Sequence, residues 1–188
     1  FQEFYKSNLK ERKIKVLDLG CGDKFLKNII EETGNIYIGV DVDQLDFEKD
    51  KFKIENNYFD LIISLAVIEH LENPTIFLNE AFRVLKPDGY LYLTTPNWNY
   101  SYHDFYNDFT HKKPYTPRSI QETLEIFRFE NVKTFPGLRC KSKWWYVGKY
   151  RFQKARYLFP FTNELKYIPS FLKGKARSII AIGQKKIN

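Results

Sequence analysis

The residues of this 188-residue chain best suited to chemistry fall into two groups. The first is Asp18, Gly20, Cys21 and Gly22, followed by Asp41: two carboxylates around a turn stripped of large side chains, where backbone can come close to a ligand. The second is His70, His103 and His111 with Asp104 and Asp108, imidazoles and carboxylates able to move a proton or to orient one another. His103, Asp104, Asp108 and His111 could also ligate a metal, but they lack any strong motif spacing, so no metal is expected. Cys21 reads as a small packing residue rather than a nucleophile.

These side chains need a scaffold, and the pattern around them supplies one. Residues 15–19 form a short aliphatic run, typical of a strand buried on both faces. Gly20 and Gly22 follow, and residues 23–32 carry Phe25, Leu26, Ile29 and Ile30 at helical spacing. A strand, a glycine turn and a helix in that order place amide N–H groups and a positive helix end at the carboxyl edge of a sheet, which is a ligand site. A dinucleotide fingerprint would need a third glycine where Phe25 stands, and two glycines alone are a weak signal. After a turn at 33–35, a second strand over 36–40 runs into Asp41.

Further along, residues 1–12 have helical spacing, and 43–60 leave room for about one short strand, placed within 44–54. Strands are expected over 58–65 and 90–95, a helical or turn segment over 67–71, and a helix over 75–85. A polar, aromatic loop over 97–115 precedes a helix that starts at Thr116 or Pro117 and reaches Phe129. Residues 132–135 and 177–183 fit two closing strands, with 136–176 an insertion between them. Each of the three histidines then follows a strand's carboxyl end, where open α/β sheets bind ligands.

VLDLGCG, GVDVD, FDLIISLAVIEHL and FRVLKPDGYLYLTTPN, in that order across residues 16–97, resemble the class I S-adenosylmethionine-dependent methyltransferases. The resemblance implies an α/β, Rossmann-like, doubly wound and mostly parallel sheet with an antiparallel closing strand. It also implies S-adenosyl-L-methionine as cofactor. Gly20, Cys21 and Gly22 would admit its amino acid portion, with Asp18 near the ammonium group. Asp41, followed by Val42, would accept the ribose hydroxyls. Asp46 and Phe47 would hold the adenine, although 43–60 is shorter than the family's usual helix and strand there. Ser64, Leu65 and Ala66 would pass beside the methionine portion. The stretch HDFYNDFTHKKPYTP resembles a subgroup found with surface-polysaccharide biosynthesis, where His111 or His103 would be the general base and Asp104 or Asp108 would orient it or bind substrate. The competing reading is that His111, Asp108 and Thr110 only brace a long loop.

Charge divides the chain. Residues 1–131 hold 16 Lys and Arg against 22 Asp and Glu, whereas 132–188 hold 14 against 1, a surface suited to something anionic. The insertion interleaves basic residues with rings such as Trp144, Trp145 and Tyr150. It fits RNA stacking, a membrane or lipid-linked acceptor, or simple packing over the sheet. The expected function is methyl transfer to a small hydroxylated, sugar or glycan-type acceptor by a single domain over 1–188. An RNA methyltransferase and a non-catalytic scaffold are the alternatives. Two cysteines, Cys21 and Cys140, make no disulfide framework, so a reducing, cytoplasmic setting is expected, with contact at the inner membrane face through 139–175. No apolar run is long enough to span a bilayer. The chain starts at Phe1 and contains no methionine, which predicts a preceding amino-terminal piece.

Overall fold

The computed structural model describes residues 13–137, 161–162, 167, 169 and 173–186. The expected helix over 1–12, Cys140 and most of the insertion lie outside them. The centre is a six-stranded sheet in the order β2-β1-β3-β4-β8-β5. Its strands are β1 Lys15–Leu19, β2 Ile36–Val40, β3 Phe59–Leu65, β4 Leu85–Pro96, β5 Phe129–Pro136 and β8 Ser178–Lys185. The neighbours from β2 to β4 pair in parallel, and β8 runs antiparallel to both β4 and β5. Two short strands of the insertion, β6 Phe161–Thr162 and β7 Lys173–Lys175, pair with each other in parallel. The chain leaves β1 to build β2 on one side and then crosses to β3 on the other. The order therefore reverses between β1 and β3, the crevice where such sheets bind ligands.

Alternation along β1 sends Leu17 and Leu19 to one face and Val16, with Asp18, to the other. The first face packs against α2 (Thr75–Val84) and, beyond the one-turn α3 (Trp98–Ser101), α4 (Pro117–Ile126), through Phe77, Leu78, Ala81, Ile120 and Leu124. Each buried Phe, Leu or Ile contributes about 1.5–3 kcal/mol. The second face receives Leu26 and Ile30 of α1 (Leu26–Glu31). This helix is shorter than 23–32, because Gly22 and Lys24 both adopt positive φ and delay its start, leaving Phe25 and Ile29 exposed. α4 opens as its sequence predicts, with Thr116 and Ser119 in a reciprocal capping box and Pro117 in the first turn. It stops at Ile126 rather than Phe129, since Arg128 turns the chain at φ +68° into β5.

The strand expected within 44–54 is not formed. Arg83 of α2 takes that segment's backbone groups instead: its guanidinium donates to the Phe52 carbonyl at 2.9 Å, the Ile54 carbonyl at 2.8 Å and the Asn56 side chain at 2.6 Å. Glu80 accepts the Phe52 N–H at 2.7 Å and binds Arg83 through both of its oxygens. Phe47 and Phe52 drop into the core, where Phe47 packs edge-on against both Phe52 and Phe77. Among the described residues no helix is long and apolar enough to cross a membrane.

Candidate functional site

Two adjacent regions meet at the carboxyl edge of the sheet. The first is the β1 turn. Gly20 has φ +76° and Gly22 φ +48°, and a Cβ on Gly20 would meet Val67 Cγ2 at 2.3 Å. The turn's amides are not left for a ligand, as the sequence had suggested. Gly20 and Cys21 both donate to the Val40 carbonyl, at 2.8 and 3.3 Å, and Gly22 donates to Asp41 Oδ2 at 2.6 Å. The end of β2 thus pins the turn, and what the turn offers is bare backbone and space. Asp41 Oδ1 accepts the Val42 N–H at 2.7 Å, so the carboxylate is held beside the turn by two amides while Val42 is exposed.

Asp18 is 2% exposed and accepts a hydrogen bond from the Tyr37 hydroxyl at 2.7 Å. Burial pushes its carboxyl above the usual range, Tyr37 opposes that shift, and the charge of Asp41 adds to it. Cys21 is buried, and burial with the charges of Asp18 and Asp41 raises its thiol, consistent with a packing role. Ser64 faces Leu19 across the β1–β3 pairing and is buried with its hydroxyl unpartnered. Leu65 is half-buried, and Ala66 is exposed at φ +55°.

The expected adenine residues do not join this group. Phe47 is 2% exposed within the core and presents no open face. Asp46 closes its own turn, pairing with Lys49 at 3.0 Å and accepting the Glu48 N–H at 2.9 Å.

The second region is a cleft of about 310 Å³ beside the ends of β3 and β4, lined by Ala66, Glu69, Thr94, Thr95, Phe105, His111 and Arg177 among others. His111 Nδ1 lies 2.7 Å from the Phe105 carbonyl, and its Nε2 is 3.8 Å from Asp108 Oδ2. Thr110 donates its hydroxyl hydrogen to Asp108 and sits 2.8 Å from His70 Nδ1. These contacts, which begin with the Thr110 side chain, keep the Asp108 carboxylate below its usual range. The rings of His70 and His111 are 4.8 Å apart. His103 is separate: it is exposed and lies against Tyr102, with ring centroids 3.9 Å apart. Asp104 pairs with Arg177 at the rim.

Glu69 is the residue that sequence reasoning missed. It sits in the 3-10 turn Ile68–His70, 0% exposed, and neither carboxyl oxygen makes a hydrogen bond. Burial pushes it up to about 7. Its own N–H, the Thr95 hydroxyl and His111 temper the rise, although the first two are too poorly placed to form hydrogen bonds with it. The buried Tyr115 hydroxyl is likewise unpartnered and is raised by burial and by the charge of Glu69. One carboxylate inside the apolar run from Val67 to Leu71 was the available signal. The site can therefore hold a cationic, hydroxyl-bearing ligand at the turn and exchange a proton with a second molecule in the cleft.

Comparison with known proteins gives the family and the fold. The family described as "Methyltransferase domain" matches residues 2–134. A ubiquinone biosynthesis O-methyltransferase of Bartonella tribocorum is 27% identical over 103 residues, covering 45% of this chain and 42% of that protein. One with the same name from Glaesserella parasuis is 30% identical over 107 residues, 44% of this chain and 45% of that one. The matches thus span less than half the length of these curated relatives. Among solved structures, a SAM-dependent methyltransferase from Archaeoglobus fulgidus superposes with a TM-score of 0.66 at 24% identity, covering 97% of this chain and 90% of that one. At that identity the likeness shows the fold.

Proposed function

The chain belongs to the class I S-adenosylmethionine-dependent methyltransferases, and from that membership we propose that it moves the cofactor's methyl group onto a hydroxyl of a small acceptor held in the cleft beside Glu69 and His111. The observation that carries this reading is the buried, unpartnered Glu69 carboxyl, poised near neutrality beside two imidazoles. An amine acceptor would need only to be neutral, whereas a hydroxyl needs somewhere for its proton to go. The relatives' names, which specify O-methylation, support oxygen as the acceptor atom and a small molecule over a polymer. A sugar hydroxyl belongs to the same chemical class. The volume of the cleft, about 310 Å³, suits a small molecule.

The residues at the turn fit the cofactor. Asp18 is a buried carboxyl held above its usual range for want of a cation, which an ammonium group would supply. Asp41, already aligned by two amides, has lone pairs left for ribose hydroxyls. The bare bend at Gly20 and Gly22 leaves room for the amino acid portion, and the Leu65–Ala66 backbone flanks it. Bound S-adenosylmethionine supplies a methyl carbon activated by a sulfonium leaving group. The chain's own task is alignment, worth on the order of 7–11 kcal/mol for well-oriented reactants, together with removal of the acceptor proton at the Glu69–His70–His111 cluster. Asp108 orients that cluster through Thr110 and His111. We read the chain as one domain, with the basic, aromatic 136–176 segment leading back to Arg177 at the rim of the cleft and favouring an anionic or lipid-linked acceptor.

Calorimetry with S-adenosylmethionine and its demethylated product tests the reading. We expect binding of both, and a loss of at least about 10-fold in Asp41→Ala, the size of one lost charge-assisted hydrogen bond. No binding of either ligand, or an Asp41→Ala variant equal to the parent, removes the proposal.

A further inference from the structure

We propose that Glu69, His70 and His111 form a binding site for a divalent first-row metal ion at the floor of the acceptor cleft. The sequence pointed to a different set, His103, Asp104, Asp108 and His111, and to no metal. The fold keeps Asp108 beside His111, turns His103 to Tyr102 and Asp104 to Arg177, and assembles this set instead. One ligand atom from each of Glu69, His70 and His111 lies within 4.8 Å of the others. Donors around an ion at about 2.1 Å sit roughly 3–3.5 Å apart, so small side-chain rotations close the site.

Three features prepare these groups as ligands. The Phe105 carbonyl beside His111 Nδ1 can only accept, so that nitrogen carries the proton and Nε2 keeps its lone pair. Thr110 gives its hydrogen to Asp108, so its oxygen accepts from His70 Nδ1 and leaves the Nε2 of His70 likewise free. A ring nitrogen fixed by a carbonyl or a carboxylate-backed hydroxyl is the outer support that metal-ligating histidines carry. Glu69 completes the set as a fully buried carboxylate with no hydrogen bond on either oxygen, an arrangement a cation would satisfy. The segment bearing His111 is also tied to Glu69 through backbone, because the Lys112 and Lys113 N–H groups donate to the Glu69 carbonyl at 2.8 and 3.0 Å.

Two imidazoles and one carboxylate favour zinc, manganese, iron(II) or cobalt over magnesium, which prefers all-oxygen sites. The use of the ion rests on the methyltransferase reading. With the ion bound, Glu69, His70 and His111 would serve as ligands and the ion would take over their part in proton removal: it would hold the acceptor's hydroxyl oxygen and acidify it, the proton would leave to water in the cleft, and the oxygen would bond to the methyl carbon as the cofactor's C–S bond breaks. The existence of the site does not depend on that reading.

The test is calorimetric titration of chelator-treated protein with Zn2+, with Mg2+ in parallel, and visible absorption after loading with Co2+. We expect one Zn2+ per chain, at least about 10-fold weaker Mg2+ binding, and a Co2+ spectrum of mixed nitrogen and oxygen ligation. His70→Ala and His111→Ala should each abolish stoichiometric binding, Thr110→Val should weaken it by about 10–100-fold, and His103→Ala should leave it unchanged. Circular dichroism shows whether each variant is folded. Absence of stoichiometric Zn2+ and Co2+ binding, or binding that survives in the His70→Ala/His111→Ala double variant, overturns the proposal. Titrating the same samples with the demethylated cofactor separates the failures: cofactor bound without metal sinks only this site, and metal bound without cofactor sinks only the enzyme reading.

Discussion

Replacing each glycine of the β1 turn by alanine asks two different physical questions at neighbouring positions. Both glycines have positive φ, which costs an alanine about 1–2 kcal/mol, partly offset by about 0.4–1 kcal/mol from a less disordered unfolded chain. At Gly22 nothing lies within 4 Å of the new Cβ, so Gly22→Ala should cost about 1 kcal/mol and no more. At Gly20 the Cβ would lie 2.3 Å from Val67 Cγ2, and Val67 is buried against the core, so overpacking adds about 1–3 kcal/mol. Gly20→Ala should thus cost about 2–4 kcal/mol and shift the bend that faces the cofactor. Urea unfolding of the two single variants, of Val67→Ala and of the Gly20→Ala/Val67→Ala pair gives a double-mutant cycle. The expected coupling is about 1–3 kcal/mol, with the pair more stable than additivity predicts. Equal costs at the two glycines, or strict additivity with Val67→Ala, would refute the claim that closeness to Val67 is what demands glycine at position 20.

Two further outcomes follow from ionisable groups. The hydrogen bonds from Arg83 hold the Glu80 carboxyl below its usual range, so its stabilisation is complete above the ordinary glutamate value near 4.3 and is lost as the pH falls through the lower native value. Glu80→Gln should cost about 2 kcal/mol at neutral pH and flatten the acid limb of the stability curve; an unchanged midpoint at neutral pH and an unchanged acid limb would show that the clamp over 52–56 contributes nothing. Burial raises the Asp18 carboxyl above its usual range, so acid neutralises it more readily than an exposed carboxylate, whereas a bound ammonium favours the charged form. Cofactor affinity should therefore decline on acidification, with proton release on binding once the free carboxyl is partly protonated; an Asp18→Asn variant that keeps the same pH slope would rule Asp18 out as the group responsible.

The sequence was most legible where structure is local. The bounds of β1 and β2 coincide with their aliphatic runs, and the start of α4 follows from Thr116 and Pro117. Legibility failed where side chains from distant positions compete with the local pattern. A strand was expected within 44–54 because 43–60 has room for one, yet Arg83 and Glu80, some 30 positions later, satisfy its backbone and remove the need for a strand partner. Phe47 was assigned to the adenine by family resemblance, but Phe52 and Phe77 offer it a drier place. Phe25 and Ile29 had the spacing of a buried stripe, and the delayed start of α1 left them outside.

The same contrast separates the two halves of the site. The half proposed for the cofactor is built from consecutive residues at strand ends, and β2 holds it through the Val40 carbonyl and Asp41, so the motif in the sequence and the geometry in space nearly coincide. The acceptor half is assembled by a loop that returns some 40 positions after Glu69 and His70, fastened by the Lys112 and Lys113 amides on the Glu69 carbonyl and by Thr110 on His70. No local spacing in the chain encodes that closure. On the proposed function, changes in the 97–115 loop should alter which acceptor fits while the turn at Gly20 and Gly22 still takes the cofactor. Such a division would let one sheet serve many acceptors and would place specificity in the loop rather than in the strands.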